Sequence, residues 1–498
     1  MQFAGNNQED DKSIKRIGII GGDAAGLATA RAFLHANDAK HAHVQFEVTV
    51  LEARPSIGGV WKYDSPSTSN QQQPKSRPMY RNLRTNLPKE IMAYREFPWG
   101  GNDGMTSSYV THADVHQYLE NYAHKFNLLT CIHFGCTVTQ LKVVNKVNHS
   151  TEEEKKSDDC ELWPQISLEW IDNKSGDNRS HQQTFDAVCI CNGHYVLPSS
   201  PTLPGLANFR GKVLHAIEYD DPNDFVGKKV LCVGARASGA DISREIGCVA
   251  NIVYLSDSTC QKMQSFGNVV QMPRTQSIDE NGTIHFANGT DDKLWSVDDV
   301  DTIIFCSGYD YSFPFINDES NLELMATPGE RRVRPLYEQL WHAHHPSLTF
   351  LGIPHSVVPF PLFELQAAAI VSQWTSKFGD RSSTVHLPPL LERIAAADRD
   401  ANSGGPKSKG RVVDTHYLGS HQWDYCRKLA IIAGIYDDAM ENYIATNQAI
   451  YDRSSMERKS MQPGERDSYR ETRFRRLDGE QSYELLYSEM QKEIAAGI

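Results

Sequence analysis

Two stretches of this chain, far apart, share one local design. The first runs Ile17-Gly18-Ile19-Ile20-Gly21-Gly22-Asp23-Ala24-Ala25-Gly26 and the second Val230-Leu231-Cys232-Val233-Gly234-Ala235-Arg236-Ala237-Ser238-Gly239. In each, a short apolar run suited to a buried parallel strand meets a glycine turn and then small residues that open a helix. Backbone N–H groups and the positive end of the helix dipole at such a turn hold a pyrophosphate, so each copy predicts a dinucleotide cradle. The expected contacts are Gly21, Asp23, Ala25 and Gly26 in the first copy, and Gly234, Arg236, Ala237, Ser238 and Gly239 in the second. Both copies are irregular, because Asp23 and Arg236 stand where a second glycine usually lets backbone approach phosphate. An ordinary strand-to-helix turn is the alternative for either copy alone.

The strand on the far side of each helix tells the two copies apart. After the first turn, a helix over Leu27 to His35 leads to the strand Phe46–Leu51 and then Glu52. A carboxylate at that strand end accepts the hydroxyls of an unphosphorylated adenosine ribose, which suits FAD. Its separation from Gly26 exceeds the usual value of about 20 residues, and the polar stretch Ala36 to His43 reads as an inserted loop. After the second turn, the strand Ile252–Leu255 ends in Ser256 with no carboxylate. Ser256 is expected to donate to a 2′-phosphate, with Arg236 and Lys262 supplying charge, which suits NADPH. Solvated surface cations are the other reading of Arg236 and Lys262.

Between the cradles lies Phe209-Arg210-Gly211-Lys212-Val213-Leu214-His215-Ala216-Ile217-Glu218-Tyr219. This segment closely resembles the flavin-containing monooxygenase fingerprint F-x-G-x-x-x-H-x-x-x-Y, and its final Tyr219 leans away from Baeyer–Villiger monooxygenases, which usually carry Trp there. Glu52 to Trp61, Leu83 to Glu90, Asp301 to Tyr309 and Val358 to Gln366 also resemble family segments, in the expected order. The resemblance spans about residues 14 to 440, and the last segment is most similar to the fungal and plant branches.

The resemblance implies an α/β fold with two Rossmann-like dinucleotide-binding domains, the NADPH domain inserted into the FAD domain. It implies that NADPH reduces FAD, that O2 adds at the flavin C4a carbon, and that the resulting hydroperoxide oxygenates a soft nucleophile while oxidised nicotinamide stays bound. The protein in such an enzyme binds, orients and shields the cofactor. Asn86 is the expected catalytic residue, its amide lying beside the reactive edge of the flavin; a turn residue before Pro88 is the alternative. Arg84 and Thr85 are expected to line the isoalloxazine pocket. Arg54, Gly59, Val60, Trp61, Leu87, Val138, Asn192 and Gln366 complete the expected cofactor contacts, with core filling as the alternative for Trp61. Pro359 and Pro361 read as a helix start whose N-terminus could stabilise reduced flavin.

At 498 residues the chain is long enough for two or three domains. Residues 1–12 read as a disordered N-terminus, 13–206 and 307–445 as the two parts of the FAD-binding domain, 207–306 as the NADPH-binding domain and 446–498 as a C-terminal extension. Polar insertions are read at Ser65 to Arg77 and Asn148 to Asp159. The crossings between domains fall at Asn192-Gly193 and Ser307-Gly308, each after a buried apolar run. A formal net charge of −13 argues against nucleic acid as a partner. No apolar run has the length of a membrane span and no signal peptide is read, so the expected location is cytoplasmic.

No C-x-x-C pair exists, which excludes the disulfide reductases built on a similar double-cradle plan, and no metal-ligand spacing is present. Cys189, Cys191, Cys232 and Cys306 read as buried strand thiols. His215 is read as a structural bridge between backbone groups. Arg470, Arg473, Arg475 and Arg476 read as a solvated face, and Gln481 to Ala495 as an amphipathic helix.

The expected activity is N- or S-oxygenation of a small amine or sulfide with O2, and self-association into a homo-oligomer is left open. The alternatives are a Baeyer–Villiger or N-hydroxylating relative on the same fold and, from another class, a non-catalytic dinucleotide-binding protein.

Overall fold

The computed structural model describes residues 13–38, 44–65, 78–100, 106–144, 163–173, 179–199, 201–287, 295–326, 331–378, 386–403, 415–460, 467–477 and 483–486. The expected disordered N-terminus, nearly all of the first polar insertion and all of the second lie outside these residues. The α-helices among the described residues are α1 (Ala24–Ala36), α2 (His112–Lys125), α3 (Ala237–Gly247), α4 (Pro359–Phe378), α5 (Leu390–Ser403), α6 (Gln422–Ile432) and α7 (Asp438–Ser460).

The first apolar run becomes the strand Ser13–Ile20, exposed at its start and fully buried over Ile17–Ile20. It pairs in parallel with Val44–Glu52 on one side and with Ala187–Ile190 on the other, Ile17 facing both Val48 and Ala187. The sheet continues through Ile132–Phe134 at one edge and through Leu348–Phe350, Trp341–His342 and Leu336–Tyr337 at the other. Residues from both sides of the second unit therefore share one sheet. Helix α1 covers it, with Phe33 meeting Phe46 edge-on at 5.0 Å and stacking on Trp374 of α4 at 5.5 Å. Both Phe33 and Trp374 are fully buried, so emptying the Phe33 site would cost about 3–5 kcal/mol.

The second apolar run, Lys229–Val233, lies in a separate sheet between Ile252–Ser256 and Thr302–Phe305, parallel to both, and Lys212–His215 adds in parallel at the edge. Val269–Met272 and Gln264–Phe266 extend the other side. Cys136–Val144, Gln165–Asp172 and Arg179–Phe185 make an antiparallel meander beside the first sheet. The expected buried thiols Cys189, Cys191, Cys232 and Cys306 are all inside.

Two expectations for the chain beyond residue 440 are corrected. The boundary at 445 falls inside the continuous helix α7, and Ile450, Tyr469 and Phe474 are buried in the same core as Ile17 and Ala24. Within the expected terminal helix, Tyr483–Leu486 is a strand paired antiparallel with Arg473–Arg476. A short stretch with one apolar face takes whichever form its neighbour satisfies, and here an unpaired strand supplies the hydrogen bonds.

Candidate active site

The two glycine turns superpose in their logic. Gly21 and Gly234 have φ of 106° and 109°, the left-handed region open to glycine. A Cβ added to Gly21 would stand 2.4 Å from the Cys191 carbonyl oxygen, and one on Gly234 would stand 2.6 Å from that of Cys306. At the helix starts, a Cβ on Gly26 would lie 2.0 Å from the Gly21 oxygen and one on Gly239 1.7 Å from the Gly234 oxygen. Gly21 N donates to Leu51 O at 2.9 Å and Gly234 N to Ser256 O at 3.0 Å, tying each turn to the adjoining strand.

The helix starts themselves differ. Asp23 is the N-cap of α1, and its Oδ1 accepts from the amides of Ala25 at 3.1 Å and Gly26 at 3.3 Å. Burial pushes its carboxyl up to about 7; the two amides pull down and the nearby charge of Glu52 adds to the rise. Arg236, the N-cap of α3, is exposed and makes no side-chain cap bond.

Around the first turn the fold gathers most of the expected residues. Glu52 is buried, accepting from Gly22 N at 2.6 Å and Arg54 N at 2.9 Å, and burial raises its carboxyl despite those bonds. The guanidinium of Arg54 reaches Asp64 at 3.9 Å. Gly58 N donates to Gly22 O at 3.3 Å, and a Cβ on Gly59 would lie 2.5 Å from the Cβ of Asp23, so the turn carrying Val60 and the half-buried Trp61 sits on the cradle. Asn192 closes the other side: its Cα lies 3.4 Å from where a Gly21 Cβ would stand, and its amide donates to Ser312 O at 2.9 Å.

His215 bridges backbone groups, as expected: Nδ1 accepts from Ile217 N at 3.2 Å and Nε2 lies 3.1 Å from Gly308 O. Burial depresses its basicity, which keeps Nδ1 an acceptor and Nε2 a donor in the neutral ring. Tyr219, which ends the fingerprint, donates to Glu245 of α3 at 2.5 Å.

Several side chains are committed differently from expectation. Ser256, expected to donate to a 2′-phosphate, is buried, its hydroxyl donating to Pro273 O at 3.2 Å and accepting from Thr275 N at 2.9 Å and Thr275 Oγ1 at 2.8 Å. Lys262 lies exposed in the loop after that strand. Thr85 is buried with its hydroxyl accepting from Val110 N, and Arg84 directs its guanidinium to the Tyr109 carbonyl at 3.1 Å. Val138 packs into the meander core. Gln366 is fully buried, accepting from Gly352 N at 3.1 Å and donating to Tyr425 OH at 3.4 Å. Leu87 enters the core shared with Ala24 and Ala25, which anchors the segment carrying the half-buried Asn86.

The solvated arginine face is also corrected. Arg470 is 4% exposed and ion-paired to Asp241 of α3 at 2.9 Å. Arg476 donates to Asn447 at 2.5 Å beneath the Tyr443 ring, and Arg475 pairs with Glu484 at 3.1 Å; Arg473 alone is exposed. A buried guanidinium requires charge compensation, and for Arg470 a compensating carboxylate, Asp241, lies far away in sequence.

Residues 14–265 match the flavin-binding monooxygenase-like family. Flavin-containing monooxygenase FMO GS-OX5 of Arabidopsis thaliana is 33% identical over 436 residues, covering 83% of this chain and 84% of the relative. The chain belongs to the flavin-binding monooxygenase-like family. Among solved structures, S-allyl-L-cysteine S-oxygenase from Allium sativum aligns with a TM-score of 0.72 at 28% identity, over 92% of this chain and 95% of that one. Tmm from Pelagibacter sp. strain HTCC7211 shares the fold, with a TM-score of 0.68 at 20% identity over 94% and 95%.

This flavin monooxygenase is an enzyme that uses FAD and NADPH, which sets aside a non-catalytic role. The residues fit both groups. Each turn is closed to any side chain at its glycines and opens a helix N-terminus, and only the first has a carboxylate, Glu52, on the adjoining strand end. No helix among the described residues is long and apolar enough to cross a membrane.

Proposed function

We propose that this enzyme transfers one oxygen atom of O2 to a soft sulfur or nitrogen atom of a small molecule. The observation that carries this reading is the near full-length likeness to an S-oxygenase of Allium sativum at 28% identity. Tyr219 at the end of the fingerprint favours it over a Baeyer–Villiger reaction on a ketone. FAD is assigned to the first turn, with residues 13–206 and the chain beyond 306, and NADPH to the second turn within 207–306. A cytosolic location is part of the same reading.

Bound FAD supplies electron transfer from NADPH and activation of O2. The chain's own residues hold and shield it. Gly21 leaves room for a pyrophosphate, Ala25 and Gly26 turn their amides to it when the Asp23 carboxylate gives way, Glu52 takes the ribose, and Gly59 to Trp61 close over the turn. Arg236 and Lys262 face the phosphates of NADPH. Asn86 is the polar group at the reacting centre: its side-chain amide has no partner among the described residues, which leaves both donor and acceptor to a ligand.

Aerobic NADPH oxidation with a thioether, a tertiary amine and a ketone tests the reading, with product and hydrogen peroxide both quantified. Sulfoxide or N-oxide formed in step with NADPH consumption is expected; turnover confined to the ketone, with ester as product, would refute it. Asn86→Ala should keep NADPH consumption while lowering oxygenated product roughly 100-fold in favour of peroxide, the scale of losing one oriented donor.

A further inference from the structure

Arg470 is a buried charge outside the glycine turns with partners on several elements. It lies in a short 3-10 turn, Ser468–Glu471, and joins two units of the fold. Its Nε donates to the Thr85 carbonyl at 3.0 Å, and one terminal nitrogen pairs with Asp241 Oδ2 at 2.9 Å. The other terminal nitrogen pairs with Asp467, which also meets Arg244 of α3 at 3.1 Å. In return, Arg84 sends its guanidinium to the Arg470 carbonyl at 3.5 Å and toward Glu471 at 3.9 Å.

These partners are placed where they bear on the site. The Thr85 carbonyl belongs to the peptide unit whose N–H is that of Asn86, so Arg470 fixes the plane of that peptide. Asp241 is two residues beyond Gly239, in the first turns of α3, the helix whose N-terminus is the second cradle. Glu245, one helical turn further along, takes the Tyr219 hydroxyl, so the same face of α3 is pinned twice. Phe474 N bonds Ser108 Oγ at 2.8 Å and Tyr469 packs edge-on against Tyr109 at 5.2 Å, holding the segment around Arg470 in the core.

Resting on the assignment of Asn86 to the flavin and of α3 to NADPH, we propose that Arg470 is a positioning residue that sets the placement of nicotinamide against flavin. A planar guanidinium can bond a carbonyl on one edge and a carboxylate on another, which an ammonium at one point cannot. Burial opposes its charge and Asp241 restores it, so the pair is fixed as an ion pair.

The test is anaerobic flavin reduction by NADPH, followed by stopped flow on holoenzyme, for Arg470→Met, Arg470→Lys, Asp241→Asn and the double variant Arg470→Met/Asp241→Asn. Reduction at saturating NADPH should slow roughly tenfold to 100-fold in Arg470→Met, the cost of about 1 Å of misalignment. FAD content and the NADPH dissociation constant should stay within about threefold of the parent. Arg470→Lys should recover part of the rate, and the double variant should be no slower than the slower single one. If Arg470→Met fails to fold, Asp241→Asn and Arg470→Lys carry the test alone, both slowing reduction with FAD retained. Unchanged reduction in these variants, or slowing matched by FAD loss, would overturn the proposal. The measurement involves no oxygenated substrate, so its failure is separate from a wrong assignment of sulfur or nitrogen chemistry.

Discussion

The first cradle fills its own anion site, whereas the second leaves it to a ligand. Both turns have the same backbone, down to the glycine pressed against a cysteine carbonyl. At α1, however, the Asp23 carboxylate takes the amides of Ala25 and Gly26, and at α3 the capping position is a cation turned outward. A helix N-terminus binds any suitably placed anion. On the assignment proposed above, the difference lies in which anion reaches each turn first: a tethered carboxylate would compete with FAD at the first, and an arginine would assist NADPH at the second.

The largest effects should come from breaking the feature the turns share. Gly26→Ala and Gly239→Ala each force a Cβ within 2.0 Å and 1.7 Å of a backbone oxygen, and such overpacking costs about 1–3 kcal/mol. Gly26→Ala should yield protein with little flavin. Gly239→Ala should yield yellow protein that NADPH scarcely reduces. Loss of flavin from Gly239→Ala would show that the turns are not independent. Next in size, Arg236→Ala removes a charge-assisted contact of about 1.5–3 kcal/mol. Its NADPH Michaelis constant should rise roughly tenfold with unchanged flavin content, and an unaltered preference for NADPH over NADH would remove Arg236 from the site.

The smallest effect sharpens the contrast through pH. Burial holds the Asp23 carboxyl up near about 7, so the folded apoprotein binds a proton there that the unfolded chain, with an ordinary carboxyl, releases. Its contribution to apoprotein stability is thus greatest at acid pH and falls as pH rises from the ordinary carboxyl range toward 7. FAD, being anionic, should bind more tightly as Asp23 is protonated: the dissociation constant measured by flavin fluorescence should fall between pH 8 and pH 6, by at most about tenfold per unit for one proton. Asp23→Asn should flatten that slope. Asp23→Gly should bind FAD more tightly at pH 8 by about 1 kcal/mol, the scale of one solvated charge pair, while losing only a few tenths of a kcal/mol of helix capping. A pH-independent dissociation constant in the parent would show that incoming FAD never meets that carboxylate.

Local information makes the cradles readable before any coordinates. An apolar run, a glycine and a helix start within ten residues determine the turn at Gly21 and again at Gly234, and His215 is assignable to structure because its partners lie at a domain junction. The partners of Ser256 are not legible because its identity gives no direction: the strand brings Thr275 and Pro273 to its hydroxyl, and a buried hydroxyl bonds whatever polar group arrives. Arg470 is unreadable for a related reason. Its partners are 385 and 229 residues away, and within its own neighbourhood the alternation of basic and acidic residues is that of a surface.

That distance has a consequence for assembly. Each glycine turn is closed by contacts to its own sheet, but the guanidinium that joins the Thr85 carbonyl to α3 emerges from the ribosome only after both turns have been synthesised. The alignment proposed for Arg470 therefore waits on a segment made 229 residues after its Asp241 partner.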